Sequence, residues 1–194
     1  MFDTLDAHIT RSIQLTDSEL AYFHSLLRPV SLKTKSFLLQ AGEICTIESF
    51  VTKGCLRKYC LDEAGHEVIL QFAIEDWWIA DLQSFTTQTP SKLFIQALED
   101  CSLLTIPYEA KEELFRKIPA MERVFRLMVQ RSQAALQDRF VSILTQPAEE
   151  RYLAFLKKYP QFPLRIPQHY IASYLGMTPE FLSKVRRRLA EKNK

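Results

Sequence analysis

Pro167-Gln168-His169-Tyr170-Ile171-Ala172-Ser173-Tyr174-Leu175-Gly176-Met177-Thr178-Pro179-Glu180-Phe181-Leu182-Ser183-Lys184-Val185-Arg186-Arg187-Arg188-Leu189 reads as two short helices joined by one tight turn. Pro167 suits the start of the first helix, whose apolar positions are Ile171, Tyr174 and Leu175. Gly176 tolerates the positive φ that a sharp helix end demands. Thr178 is a good N-cap, Pro179 fits the first helical position, and Glu180 complements the positive helix end. The second helix then buries Leu182, Val185 and Leu189, and shows Glu180, Ser183, Lys184, Arg187 and Arg188 on its other side.

This is a helix-turn-helix pattern suited to double-stranded DNA. A recognition helix sets polar side chains from its first turns against base edges, with basic residues nearby for phosphates. Glu180 can accept from a cytosine amino group and Lys184 can donate to guanine. Thr178 and Ser183 suit either base or backbone, and Pro179 shares their turn. Arg186, Arg187 and Arg188 lie further along, where phosphates are expected. The competing reading is an ordinary helical hairpin with a charged face.

The charge distribution agrees with a polyanionic partner. A net +2 conceals +8 in residues 151–194 and −6 in residues 1–150. A solvated basic end would show the same asymmetry, so charge alone does not decide. With 47% hydrophobic and 25% charged residues the chain reads as globular, not disordered. No apolar run reaches the roughly 20 residues a bilayer span needs, and the acidic N-terminus Met1–Asp6 is no secretory signal. No membrane partner and a cytoplasmic location are therefore expected.

Upstream, the hydrophobic period changes twice. Leu15, Leu20, Phe23, Leu26 and Leu27 recur at helical spacing; Thr16 and Glu19 form a candidate capping box, and Pro29 is expected to end the helix. Between Val30 and Pro107, strands are expected at 36–40, 49–53, 55–61, 67–73, 93–98 and 102–106, with a hairpin at Asp62–His66 in which Gly65 takes positive φ. A short helix over Trp78–Phe85 interrupts them. Many short strands with Gly turns suggest a jelly-roll-like β-barrel.

After Pro107 the helical period returns. Pro119 is expected to open a helix running to about Thr145, carrying two apolar stripes. One comprises Met121, Phe125, Met128, Ser132, Leu136 and Ile143, with its first five residues the expected homodimer interface; the other contains Val124, Leu127, Ala134 and Val141. A core helix within a monomer is the alternative. Ala148–Tyr159 reads as a further helix and Pro160–Pro163 as a linker. The fold class is therefore α+β, with an N-terminal helix and barrel in 1–118, a dimerisation helix in 119–146 and the helix-turn-helix domain in 147–194.

An enzymatic barrel of the cupin kind needs a His-rich metal set. Only His8, His24, His66 and His169 are present, and one of them falls among the strands. Cys45, Cys55, Cys60 and Cys101 show no CxxC spacing, and no nucleophile triad or Gly-rich phosphate loop stands out. No catalytic residues, metal or cofactor are assigned.

Over essentially its whole length the chain resembles the Crp/Fnr superfamily of bacterial transcription regulators. Ile171–Ser183 is similar to the family's DNA-binding core, and Phe37–Glu43 and Val51–Arg57 to its strand-turn motifs. The resemblance implies a homodimer on an inverted-repeat operator, often under an effector or redox signal, with RNA polymerase as a partner if it activates. It also places Glu180 and Lys184 among the base readers.

Nucleotide-binding members hold the cyclic phosphate with a Gly-Glu pair and an Arg. The matching positions here read Ile79-Ala80-Asp81-Leu82 and Ser91, so a response to cAMP is not expected, although Asp81 could still bond a ribose hydroxyl. By resemblance, an effector pocket would lie near Trp78, Asp81, Leu82, Ser91 and Leu93, its ligand unknown. The sequence ends at Lys194, before the β-hairpin wing of many relatives, and its first cysteine is Cys45, unlike the N-terminal cluster of iron-sulfur members. A sensing module that acts through a protein partner is the alternative function.

Overall fold

Thr16 does cap a helix. Its Oγ1 accepts the Glu19 N–H at 3.3 Å while the Glu19 carboxylate accepts the Thr16 N–H at 2.8 Å, closing the box the sequence predicts. The structure is a computed structural model and describes residues 2–192. The expected basic tail ending in Lys194 therefore falls partly outside the described residues. Helix α1 (Asp3–Thr10), which the sequence reading passed over, precedes the capped α2 (Asp17–Leu26).

Eight strands follow: β1 (Arg28–Leu32), β2 (Phe37–Leu39), β3 (Ile47–Lys53), β4 (Leu56–Leu61), β5 (Glu67–Ala73), β6 (Trp78–Ile79), β7 (Phe94–Ala97) and β8 (Cys101–Pro107). They form two four-stranded sheets in the orders β1-β8-β3-β6 and β2-β7-β4-β5. Alternating inward residues build the layer between the sheets, with Val51 and Leu103 from one and Leu56 and Ile95 from the other, all essentially buried. Each fully buried aliphatic side chain of this kind contributes about 1.5–3 kcal/mol.

Two sequence expectations are corrected in this region. Pro29 does not end the helix; α2 stops earlier, and Pro29 lies inside β1, opposite Leu104 of β8. That is tolerable because β1 is the outermost strand of its sheet, where a missing N–H need not break a ladder. Trp78 is not helical either, since it pairs with Phe50 of β3. The helix, α3 (Leu82–Thr87), begins only after Asp81, whose carboxylate accepts the N–H groups of Gln83 and Ser84.

Helices α4 (Tyr108–Lys117) and α5 (Ala120–Thr145) complete this part. Leu114, Met121 and Phe125 join Leu5, Phe23 and Phe50 in a second core cluster. Within it Lys111 donates to Glu48 at 2.8 Å and lies 4.4 Å from the Phe125 ring centre, so a buried ion pair sits against aromatic faces.

The chain packs as two compact units. The first takes the chain up to Cys60 together with Gln71–Gln130; the second takes Leu61–Leu70 and continues from Arg131. The expected hairpin lies in the second unit: the Asp62 N–H donates to His66 O at 3.0 Å, and Gly65 has φ +83°. Among the described residues no helix is long and apolar enough to cross a membrane.

Candidate nucleic-acid interface

In the second unit, α6 (Ala148–Lys158), α7 (Phe162–Arg165), α8 (Gln168–Tyr174) and α9 (Pro179–Lys192) surround a small aromatic core. The expected linker Pro160–Pro163 belongs to it. Phe162 is fully buried, stacks on Tyr159 at 4.6 Å and meets Phe155 edge-on at 5.9 Å. Two flanking prolines suggest a loop, but the ring between them supplies more burial than the loop reading allows. Burial, with the Tyr159 phenol beside it, pushes Tyr174 up to about 12, so its hydroxyl stays neutral.

Ile171 and Leu175 of the first motif helix and Leu182 and Val185 of the second are all buried, which locks the two helices together. Gly176 turns the chain between them at φ +66°, and the Met177 N–H donates back to Ala172 O at 2.9 Å. A Cβ on Gly176 would also lie 3.3 Å from Ile143 Cγ2, so both backbone conformation and space favour glycine. Thr178 then caps α9 as predicted, its Oγ1 accepting the Phe181 N–H at 3.2 Å.

Ser173 anchors α8 to the β4–β5 hairpin. Its hydroxyl donates to Glu67 O at 2.8 Å and accepts the Ile69 N–H at 3.0 Å. Arg139 of α5 donates to Ile69 O at 3.3 Å. Because β5 is the outermost strand of its sheet, these side chains satisfy backbone groups that a further strand would otherwise take.

All eight sequence-assigned DNA-binding residues fall together. Thr178, Pro179, Glu180, Ser183, Lys184, Arg186, Arg187 and Arg188 are exposed around the first three turns of α9. Glu180, Lys184 and Arg187 follow the i, i+4, i+7 line of one helix face. The result is a basic helix with polar first turns, free on its outer side and held from behind by Leu182 and Val185.

The expected effector residues are less coherent. Asp81 and Ser91 meet, with the Ser91 hydroxyl donating to the Asp81 carboxylate at 2.7 Å, and the Leu93 N–H donates to Ser91. Leu82 is exposed, and Trp78 packs elsewhere, against Phe50 and Phe125. A cavity of about 190 Å³ lies between other residues, among them Leu38, Ile44, Cys45, Ile79 and Ile95. Burial pushes the Cys45 thiol up, so it stays protonated at neutral pH. These residues come from separate stretches of the chain, so sequence reading gives no sign of a cavity among them.

The expected dimer stripe divides. Met121 and Phe125 are buried in the protein's own core and Met128 is half-buried, so the start of α5 is already covered; this corrects their assignment to an interface. Ser132 and Leu136 are exposed. Leu136 continues a strip that the sequence reading did not assemble: Val129, Leu136, Phe140 and Leu144, with Phe140 61% and Leu144 67% exposed. Their 7-, 4- and 4-residue steps were visible in the sequence, but so were the competing stripes that face the core.

Comparison with known proteins agrees with this architecture. Residues 29–118 match the family described as "Cyclic nucleotide-binding domain". The chain is 27% identical over 186 residues to the anaerobic regulatory protein of Haemophilus influenzae, covering 88% of this chain and 70% of the relative. It is 28% identical over 188 residues to the fumarate and nitrate reduction regulatory protein of Vibrio cholerae, covering 88% and 72%. Among solved structures, FixK2 from Bradyrhizobium japonicum superposes with a TM-score of 0.75 at 18% identity, covering 86% of each chain.

Proposed function

The chain belongs to the Crp/Fnr superfamily of bacterial transcription regulators, and we propose that it acts there as a homodimer reading an inverted-repeat operator through α9. The observation that carries this reading is the outer face of α9, where every polar and basic position the motif requires is exposed while Leu182 and Val185 behind it are buried and Leu189, expected to join them, is half-buried. Two such helices enter successive major grooves, with half-sites about one helical turn apart. Glu180 and Lys184 read bases and Arg186–Arg188 hold phosphates. The setting is the bacterial cytoplasm, and RNA polymerase is the further partner of an activating form.

The test is selection of bound duplexes from a random pool by the purified chain, without ligand, at two salt concentrations. An enriched inverted repeat supports the reading; salt-sensitive binding without enrichment, or no binding, removes the ligand-independent operator. On the selected site, Lys184→Ala is expected to cost about 1–3 kcal/mol and relax preference at one base pair per half-site. Arg187→Ala is expected to weaken all sequences alike and to lower the salt slope by about 1. Equal losses on specific and random DNA for both variants would refute this division of roles.

The dimer contact is assigned to Val129, Leu136, Phe140 and Leu144, the exposed strip on α5. Phe140→Glu places a charge in it and is expected to weaken the dimer at least about tenfold in sedimentation equilibrium. A variant that stays as dimeric as the parent would move the interface to another face. For the effector domain, Ser91 stands where nucleotide-binding members carry the Arg that pairs with the cyclic phosphate, and its hydroxyl is already spent on the Asp81 carboxylate, so no guanidinium is offered there. This supports a regulator that does not answer to cAMP.

A further inference from the structure

Phe181 stands out on the recognition helix. It is the second residue after Pro179, within the first turn of α9, and 42% of it is exposed. Around it the exposed side chains are polar or basic: Thr178 three residues before, Lys184 three after and Arg188 seven after, along one flank of the helix. Neither the N-cap nor the buried seam explains the ring. The cap uses only its backbone N–H, and the seam is made by Leu182 and Val185.

We propose that Phe181 reads DNA sequence directly, its ring packing on the 5-methyl group of a thymine in each half-site. This rests on the operator-binding reading above. The chemistry favours thymine because its methyl is the apolar group that a base pair offers in the major groove, and phenylalanine is among the side chains suited to it. The basic neighbours Lys184 and Arg188 favour a polyanion over an apolar protein surface as the occupant of this flank. Glu180 and Lys184 discriminate by hydrogen bonds, so an apolar contact beside them adds information that those bonds do not carry.

The experiment uses the operator recovered by selection and replaces each thymine in turn by deoxyuridine, which deletes only the methyl. For the parent chain, one replacement per half-site is expected to weaken binding about three- to tenfold. Phe181→Ala is expected to lose a similar factor on the thymine operator and to show no further loss on the deoxyuridine one. Phe181→Leu keeps an apolar group and is expected to retain part of the sensitivity. Equal binding of thymine and deoxyuridine operators by the parent overturns the proposal while leaving the operator reading intact. So does a Phe181→Ala variant that is still sensitive, that melts at a lower temperature with unchanged preference, or that changes oligomeric state. Failure to enrich any sequence overturns both readings together.

Discussion

Phe162→Ala is expected to destabilise the helical unit by about 3–5 kcal/mol, the range for deleting a fully buried aromatic ring. Phe162 lies between Phe155, which it meets edge-on at 5.9 Å, and Tyr159, on which it stacks at 4.6 Å. At 1% exposed, Phe162 is the most deeply buried aromatic ring of the four helices, so its loss opens the centre of the core that α8 and α9 share. Amide exchange in residues 148–192 and operator affinity should both report it, while Phe162→Leu should cost far less. The sequence-based linker reading makes the opposite forecast, a change within about 0.5 kcal/mol. A measurement of that size would return Pro160–Pro163 to a loop.

Lys111→Met is the second large expected effect. It leaves the Glu48 carboxylate buried without its ammonium partner, at an expected cost of about 3–5 kcal/mol. The side chains are only 12% and 2% exposed, so water can do little to replace the lost charge. A double replacement, Glu48→Leu with Lys111→Met, removes both charges and is expected to recover most of that stability in denaturant unfolding. If Lys111→Met alone costs under about 1 kcal/mol, the pair behaves as a surface bridge and the burial argument fails. A double variant as unstable as the single one would shift the cause to packing against Phe125.

The recognition motif was legible in the sequence because its signals are local. Gly176, Thr178, Pro179 and the period of Leu182 and Val185 each act within one or two turns of themselves, and the backbone obeys them. The capping box at Thr16 and the hairpin at Asp62–His66 were legible for the same reason. The strands were mostly found, with ends misplaced by one or two residues, since alternation marks a strand better than its limits. Strand β1 was missed because Pro29 counts locally against a strand, and only the absence of a neighbour on its outer side makes it acceptable.

The amino-acid sequence by itself determined the class of the protein, the position of its recognition helix and which side of that helix is polar, because these follow from spacing and short-range capping. Tertiary structure alone decided which apolar stripe of α5 is spent on the core, that Phe162 is core and not linker, that Asp81 meets Ser91, and that Phe181 is left partly exposed. Each of those depends on residues far apart in the chain coming together, and an apolar side chain carries no mark of which neighbour will cover it.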